Sequence, residues 1–459
     1  MQVPDAARGP LSLVTLGASF LLRQPARMVR DAFAELPLPV ALAVMPAAAV
    51  WSTAVAVRAL ATAIRIGHRV RSAPVLVPDR RLIAPVGELA PLCSLISDTH
   101  LTADGAAPCE LVIDPGQWPF REVPTTGQLT AAIRDLLGHI RDHAPRTVIW
   151  CGDEVDTGAP AEWQQWRAAI AAVPELAHRL VPGNHDVCFN QPFDEDYTLA
   201  RRAERERAYQ DHGDRLADYP VVDTIVSDHG TATLLLLDSC KHRSTHVLSN
   251  AIGLYGEVQL AEVERQLTRR TGPVLAISHH HVWRDASFMQ PDEWYNTAVD
   301  ADRLARILLA YRARAPHNRV LVCHGHRHAM TTGTLGDGNG TIDVIGLPSS
   351  TLGDKSRDGI LDGVVRYAVA GLRADGTWGI ALCAVRRLVQ PELASRPTPR
   401  SPPSASLIAL SAIPRDHGHV AAPTSTSTST TGHEPVERGE PPLRRRAAGA
   451  RRVAARRRR

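Results

Sequence analysis

The 459-residue sequence lacks any CxxC pair. Its seven cysteines are scattered along the chain and odd in number. A disulfide framework and a zinc ribbon both require paired, regularly spaced cysteines, so the sequence argues against each of them. Cysteines without such pairing are most simply explained by a reducing compartment.

Acidic residues are missing from the last sixteen positions, RRRAAGARRVAARRRR, which hold nine arginines. The chain has a formal net charge of +4, so the remainder carries 4 − 9 = −5. The body is therefore mildly acidic, and the overall charge says little about what it binds. An arginine-rich tail attracts polyanions, so we expect weak contact with nucleic acid or anionic lipid there.

Charged residues are also absent from residues 36–57, LPLPVALAVMPAAAVWSTAVAV. The run is long enough to span a bilayer, but it is rich in alanine and contains three prolines. Two interpretations stay open, namely a membrane span and a helix that packs on the rest of the protein. If the run is a span, the arginines that follow it would place that flank in the cytoplasm. The cysteine pattern also favours the cytoplasm, so we expect a cytoplasmic protein, with membrane association through residues 36–57 as the open alternative.

Composition divides the chain into three parts. Residues 1–90 are predicted to be an apolar and basic helical segment, and residues 91–390 to be the folded domain. Residues 391–459 are rich in Pro, Ser, Thr and Arg. This last part cannot bury enough apolar surface to fold, so we expect it to be disordered.

Short apolar runs alternate with helical patterns in the central part. The predicted strands are CSLIS, RTVIWCG, RLVPG, TATLLLLDS, GPVLAISHH and NRVLVCHGH. Residues 129–143 and residues 257–267 both have helical periodicity. The second of these helices is predicted to bury four apolar side chains: Val258, Leu260, Val263 and Leu267. The alternation indicates an α/β fold, and Asp375-Gly376 predicts a hairpin turn near its end.

Polar residues cluster where five of the apolar runs end. The clusters are SDTHL, CGDEVD, PGNHD, SHHHVW and HGHRH. Ligand sites in α/β sheets gather at the carboxyl ends of strands, so the five clusters predict one polar pocket. Each cluster alone is compatible with an ordinary strand-end turn, but five of them in this order favour a shared site.

Histidine combined with aspartate suits transition metals such as Mn, Fe, Zn or Co. Two cations held about 3.5 to 4 Å apart need a bridging anion, which a carboxylate supplies. An amide oxygen can also bind a metal and adds no charge. Asn184 is therefore a candidate ligand, and Gly183 before it frees the backbone to place it.

Taken together, the five clusters resemble the signature of the calcineurin-like metallophosphoesterases. The pattern reads Asp98-Thr-His100, Gly152-Asp153-Glu-Val-Asp156, Gly183-Asn184-His185-Asp186, His279-His280 and Gly325-His326-Arg-His328. The resemblance covers roughly residues 91–385 and implies a four-layer αββα sandwich of two mixed β-sheets flanked by helices. Asp238-Ser239 and the helical pattern after it look similar to the cyclic-nucleotide phosphodiesterase-like branch.

The resemblance also implies a dinuclear centre of two divalent or trivalent transition-metal ions. Asp153 would be shared between the ions, and each ion would have three further ligands: Asp98, His100 and His328 for the first, and Asn184, His279 and His326 for the second. The family often has proline after the histidine pair, whereas this chain has His281. The ligand is therefore His279 or His280, and we prefer His279 because it takes the first place of the pair.

Catalytic roles are implied for His100 and for His185, which would bind the phosphate or protonate the leaving group. Asp156, Asp186 and His280 are expected directly behind the ligands. The implied reaction is hydrolysis of a small phosphomonoester or phosphodiester by a hydroxide that bridges the metals. Two alternatives stay open: a nuclease that acts on DNA or RNA, and a catalytically silent metal-binding scaffold.

Overall fold

The computed structural model describes residue 69 and residues 71–388, apart from nine gaps. The gaps are residues 104, 110, 112–114, 189–198, 228–229, 242–250, 285–295, 338–339 and 356–358. The apolar run at residues 36–57 and the arginine-rich tail lie outside the described residues. Among the described residues, no helix combines the length and the apolar character needed to cross a membrane.

Twelve strands and six α-helices make up the described part of the chain. The strands are Val77–Pro78 (β1), Ala90–Ile96 (β2), Thr147–Trp150 (β3), Ala177–Leu180 (β4), Val221–Ser227 (β5), Gly230–Leu236 (β6), Val274–Ile277 (β7), Val320–His324 (β8), Thr331–Asp337 (β9), Gly340–Gly346 (β10), Val364–Leu372 (β11) and Trp378–Arg387 (β12). The helices are Thr126–His143 (α1), Pro160–Ile170 (α2), Asn184–Val187 (α3), Leu199–Gln210 (α4), Glu257–Thr268 (α5) and Ala301–Ala313 (α6). All six predicted strands are present.

The strands form two mixed sheets. The seven-stranded sheet has the order β1-β9-β10-β8-β7-β6-β5, and β10, β8, β7 and β6 run parallel within it. The five-stranded sheet has the order β12-β11-β2-β3-β4, and β2, β3 and β4 run parallel. The remaining neighbours in both sheets are antiparallel.

One apolar cluster lies between the two sheets. Leu234, Leu275 and Leu321 of the seven-stranded sheet belong to the same buried cluster as Leu95 and Ile149 of the five-stranded sheet. Their neighbours along each strand belong to other clusters, because successive side chains of a strand point to opposite faces. The two sheets therefore pack face to face.

Helices cover the outer face of each sheet. Leu260 of α5 and Leu304 of α6 share a cluster with Val274 and Val320. Helices α1 and α2 share another cluster with the strands of the five-stranded sheet. Strands that are buried on both faces read as continuous apolar runs, which explains the short runs of the sequence. The result is the four-layer αββα sandwich that the motif resemblance implied.

The first predicted helix begins with a capping box. The Thr125 hydroxyl accepts the Gln128 N–H at 3.3 Å, and the Gln128 side chain accepts the Thr125 N–H at 2.8 Å. All five predicted aliphatic side chains of α1 are buried: Leu129, Ile133, Leu136, Leu137 and Ile140. This helix was therefore predicted correctly.

The second predicted helix contains one error. Val258 was expected to be buried, but it is 86% exposed. Gln259 takes the buried place, because its amide donates to the Asp238 carbonyl at 2.8 Å and accepts the Asp238 N–H at 3.0 Å. Leu260, Val263 and Leu267 are buried as predicted.

The predicted hairpin turn is confirmed. The turn at Asp375-Gly376 joins β11 and β12, and Gly376 adopts a φ of 75° there. The Asp375 side chain accepts the Thr377 N–H at 2.9 Å and stabilises this turn. None of the seven cysteines forms a disulfide bond.

Candidate metal centre

The predicted ligands follow five strands that end at the same edge of the two sheets. β2, β3 and β4 are adjacent and parallel in one sheet, and β7 and β8 are adjacent and parallel in the other. The carboxyl ends of parallel neighbours meet at one edge, so the loops after these strands converge. The topology thus brings together segments that lie more than two hundred residues apart in sequence.

Five of the predicted ligands have an unusual backbone conformation. Among the described residues, the non-glycine residues with positive φ are five predicted ligands: Asp98, His100, Asp153, His326 and His328. Their φ values lie between 44° and 70°. A left-handed conformation costs a non-glycine residue about 1–3 kcal/mol and persists where the surroundings enforce it, which is typical of functional sites.

A first group of side chains surrounds Asp98. Its Oδ1 lies 3.2 Å from Nε2 of His328, and that nitrogen lies 2.9 Å from Nε2 of His100. The same carboxylate oxygen accepts the main-chain N–H of His326 at 2.9 Å. Asp98, His100 and His328 are all buried, and their ligand atoms are close enough together to hold one cation.

A second group surrounds His279. Nε2 of His279 lies 3.0 Å from Oδ2 of Asp153, 3.1 Å from Oδ1 of Asn184 and 3.2 Å from Nδ1 of His326. Asp153, His279 and His326 are again close enough together to hold one cation. Oδ2 of Asp153 also lies 3.9 Å from Nε2 of His100 in the first group. Asp153 therefore stands between the two groups.

The first histidine of the pair, His279, is the one that reaches Asp153. His280 is buried beside it, but its Nδ1 lies 2.8 Å from the Ser239 hydroxyl. The centroids of its ring and of the His326 ring lie 4.5 Å apart, so His280 packs against a predicted ligand. The structure thus brings His279 into the cluster and places His280 behind it.

Two of the predicted histidine ligands make hydrogen bonds through Nδ1, and these bonds fix the orientation of their imidazole rings. Nδ1 of His100 lies 3.1 Å from Oδ1 of Asp156, and Nδ1 of His279 donates to the Cys151 carbonyl at 3.0 Å. Asp156 is itself held by the Cys109 N–H at 2.9 Å. A proton on Nδ1 leaves the lone pair of a neutral imidazole on Nε2, which is the arrangement found behind metal-binding histidines.

Asp186 joins two of the converging loops. It accepts the main-chain N–H groups of Asp153 at 2.9 Å, Gly183 at 2.8 Å and Val155 at 3.2 Å. A side chain at position 183 would overlap the main-chain nitrogen and a carboxylate oxygen of Asp153, so only glycine lets the loops approach this closely. In the sequence Gly-Asn-His-Asp, a candidate metal ligand is thus followed by the aspartate that holds its loop against the loop of Asp153.

Residues 95–330 match the family described as calcineurin-like phosphoesterase. This match covers more than half of the chain and includes every residue of the two groups. The chain belongs to the calcineurin-like phosphoesterase family. It is a metal-dependent phosphoester hydrolase, and membership of the family indicates a dinuclear metal centre.

Several solved structures are similar to this phosphoesterase. A dimetal phosphatase from Danio rerio is 17% identical, with 66% of this chain and 98% of that chain covered and a TM-score of 0.40. A purple acid phosphatase from yellow lupin (Lupinus luteus) seeds is 12% identical, with 63% and 53% covered and a TM-score of 0.40. No curated protein sequence matches the chain. The family assignment rests on the family match and not on these likenesses.

The donor set of the phosphoesterase fits transition-metal ions. It combines two carboxylates, one amide oxygen and four imidazoles without a thiolate, which suits Mn, Fe, Zn or Co. Burial alone would lower the pKa of His279, but the carboxylates of Asp153 and Asp98 outweigh it and raise the pKa to about 9. Burial would raise the pKa of Asp153, but His279, His185 and His100 hold it below its usual range. The centre therefore favours positive charge between these carboxylates.

His185 lies beside the first group and is more exposed than His100 and Asp153. Its side chain is 12% exposed, against 1% for His100 and 2% for Asp153. Its Nδ1 donates to the main-chain carbonyl of Asp156 at 2.6 Å, and its ring meets that of His100 edge-on at 4.6 Å. With the Nδ1 proton used in this way, proton exchange with a substrate would involve Nε2.

Two further histidines belong to a separate set of contacts. Nε2 of His324 accepts the Trp283 N–H at 3.0 Å, and Nε2 of His281 lies 2.8 Å from the Thr297 hydroxyl. These partners lie outside the two ligand groups. His281 and His324 therefore lie beside the ligand groups and not within them.

Sequence reasoning missed the residues Ser349–Thr351. All three are buried, and their hydroxyl groups contact the main chain of residues 97–99. The available signal was the run of three hydroxyl residues soon after the apolar strand β10. We name residues 349–351 the hydroxyl segment.

Proposed function

We propose that this protein hydrolyses small phosphomonoesters or phosphodiesters at a dinuclear centre built from the two side-chain groups. The observation that carries the proposal is the position of Asp153. Its Oδ2 lies 3.0 Å from Nε2 of His279 and 3.9 Å from Nε2 of His100, so one carboxylate is shared by both groups. Two cations close together require such an anion between them.

The proposed ligands divide into two sets around that carboxylate. They are Asp98, His100 and His328 on one side and Asn184, His279 and His326 on the other. When bound, the two ions supply a water-derived nucleophile near neutral pH and neutralise the charge of the phosphoryl oxygens. No Ser or Cys nucleophile is needed for this chemistry.

The protein's own side chains orient the substrate and move protons. Asp156 keeps the His100 ring in place through Nδ1, and its main-chain carbonyl does the same for His185. His185 is partly exposed, whereas His100 and Asp153 are buried, which supports a position for His185 where a substrate enters. We propose that His185 binds the phosphate or donates a proton to the leaving oxygen.

Removal of metal tests the proposal directly. Treatment with a chelator and dialysis should abolish hydrolysis of bis(4-nitrophenyl) phosphate and 4-nitrophenyl phosphate, because the nucleophile depends on the ions. Addition of Mn²⁺ should restore it. The restored rate should saturate at two ions per chain, measured by metal analysis of the dialysed protein. Turnover that survives complete removal of metal would contradict the proposal.

The choice between a diester and a monoester is decided in the same assay. Both substrates release 4-nitrophenolate. The ratio of their kcat/KM values therefore compares a diester that carries one negative charge with a monoester that carries two. Single-stranded and duplex DNA, added at increasing salt, test the nuclease alternative, because contacts to phosphates weaken with salt. DNA cleavage that exceeds turnover of both small esters would favour a nuclease.

A chain that ends at residue 390 is expected to keep its turnover of 4-nitrophenyl esters. The nine arginines of the tail are expected to bind polyanions rather than contribute to the catalytic centre. The shortened chain should therefore lose affinity for DNA or anionic vesicles while its kcat and KM stay unchanged. A large fall in turnover would place the tail in the folded enzyme.

A further inference from the structure

The hydroxyl segment follows β10 and lies against the end of β2. The Ser349 hydroxyl donates to the Asp98 carbonyl at 2.6 Å, and the Thr351 hydroxyl donates to the Thr99 carbonyl at 2.8 Å. The Ser350 hydroxyl accepts the Ser97 N–H at 3.1 Å, and the Ser350 N–H donates to the Ser97 carbonyl at 2.8 Å. Three consecutive side chains thus contact three consecutive residues of the ligand loop.

The contact is fully shielded from water. Ser349 and Thr351 are 0% exposed, and Asp98 is 1% exposed. A buried carbonyl without a hydrogen bond costs about 1–3 kcal/mol, so the hydroxyl groups stabilise this path of the main chain over others. The Ser349 hydroxyl is itself held in place, because it accepts the Leu352 N–H at 3.0 Å.

Asp98 is the residue that most needs this support. Its φ of 52° is left-handed, and such a conformation persists only where the surroundings enforce it. The Asp98 N–H donates to the Gly152 carbonyl at 3.0 Å, and its own carbonyl accepts from Ser349. Both ends of the residue are thereby fixed, and its carboxylate is directed at His328.

We infer that the hydroxyl segment sets the metal affinity of the first group by holding Asp98 in its left-handed conformation, with Ser349 as the main positioning residue. The inference rests on the proposed function, which makes Asp98 a ligand of that group. Ser349 acts through the main chain of Asp98 and does not itself touch the ion. Loss of its hydroxyl should let the Asp98 carboxylate leave its place without removing any ligand atom.

The chain offers a matched control in Ser94. Like Ser349 it is 0% exposed, and its hydroxyl also donates to a main-chain carbonyl, that of Pro145 at 2.9 Å. It lies in β2, before the ligand loop. Ser349→Ala and Ser94→Ala each remove a buried hydroxyl that donates to a main-chain carbonyl, and only Ser349→Ala changes the support of Asp98. Ser349→Ala also removes the acceptor of the Leu352 N–H.

The inference is tested by calorimetry, which measures how Mn²⁺ alone binds to the dialysed full-length protein. Ser349→Ala is expected to raise the Kd of one of the two ions about 10-fold, at the low end of what loss of a partner behind a ligand costs. Ser94→Ala should leave both Kd values unchanged, and both variants should lose a few degrees of Tm. Thr351→Val, which removes one hydroxyl at constant volume, should weaken the same ion, and Thr351→Ser should not.

The outcomes separate this inference from the proposed function. Two ions bound by Ser349→Ala and Thr351→Val with wild-type affinity would overturn the inference and leave the ligand assignment standing. An equal loss of affinity in Ser94→Ala would also overturn it, because the effect would then be one of general stability. A wild-type protein that binds fewer than two Mn²⁺ would overturn the ligand assignment and the inference together.

Discussion

Replacement of Asp153 by asparagine is expected to remove bound metal and abolish hydrolysis together. Oδ2 of Asp153 stands between the two groups, 3.0 Å from His279 and 3.9 Å from His100, so its charge serves both ions. Asparagine keeps the side-chain shape and tolerates the φ of 57° at this position. The variant therefore tests the charge of the bridging group and leaves the fold in place.

The expected loss is larger than the 10- to 100-fold that removal of a partner behind a ligand usually costs. The measurements are the metal content per chain and the rate at which the variant hydrolyses 4-nitrophenyl esters. Asp300→Asn is the matched control, since Asp300 is also a buried aspartate and accepts the main-chain N–H groups of Tyr255 and Gly256. It should lose stability but keep both ions. Normal metal content and normal turnover in Asp153→Asn would remove Asp153 from the centre.

The two sheets and their order of layers follow from patterns that the sequence displays. Strands buried on both faces appear as short apolar runs, and the amphipathic face of α1 is readable from its spacing of leucine and isoleucine. The error at Val258 shows the limit of this reasoning. Periodicity cannot tell that Gln259 will be buried, because its partner Asp238 lies twenty-one residues earlier in the chain.

The ligand clusters were also predictable, since they stand where apolar runs end and their residue types suit metals. The residues that hold the ligands in place were less predictable. The motif resemblance implied Asp186 behind the ligands but not its main-chain partners Asp153 and Val155. The contact of Ser349 with Asp98, across 251 residues, was not predicted. Such contacts follow from how the sheets pack and leave no local mark in the sequence. The left-handed conformation of the ligands is likewise imposed by their surroundings, because Asp and His tolerate it better than most residues but do not require it.

Replacement of His185 by alanine is expected to slow hydrolysis by roughly 10²- to 10⁴-fold while both metal ions stay bound. Its ring contacts His100 edge-on at 4.6 Å, and its Nδ1 is held by the Asp156 carbonyl at 2.6 Å. The first is a contact between rings and the second uses Nδ1, and His185 belongs to neither of the two proposed ligand sets. The loss should depend on the leaving group if His185 donates a proton, because 4-nitrophenolate leaves without protonation and an alkoxide does not.

A pair of substrates therefore decides between the two roles proposed for His185. A large loss with an alkyl phosphate ester and a small loss with the 4-nitrophenyl ester would identify a general acid. Equal losses with both would identify a phosphate-binding role, carried mainly by KM. His139→Ala is the control, since its Nδ1 lies 3.1 Å from the Tyr367 hydroxyl, and it should change neither rate. If His185→Ala loses metal as well as rate, His185 is a ligand. The assignment of the ligands to two sets that share Asp153 would then be wrong.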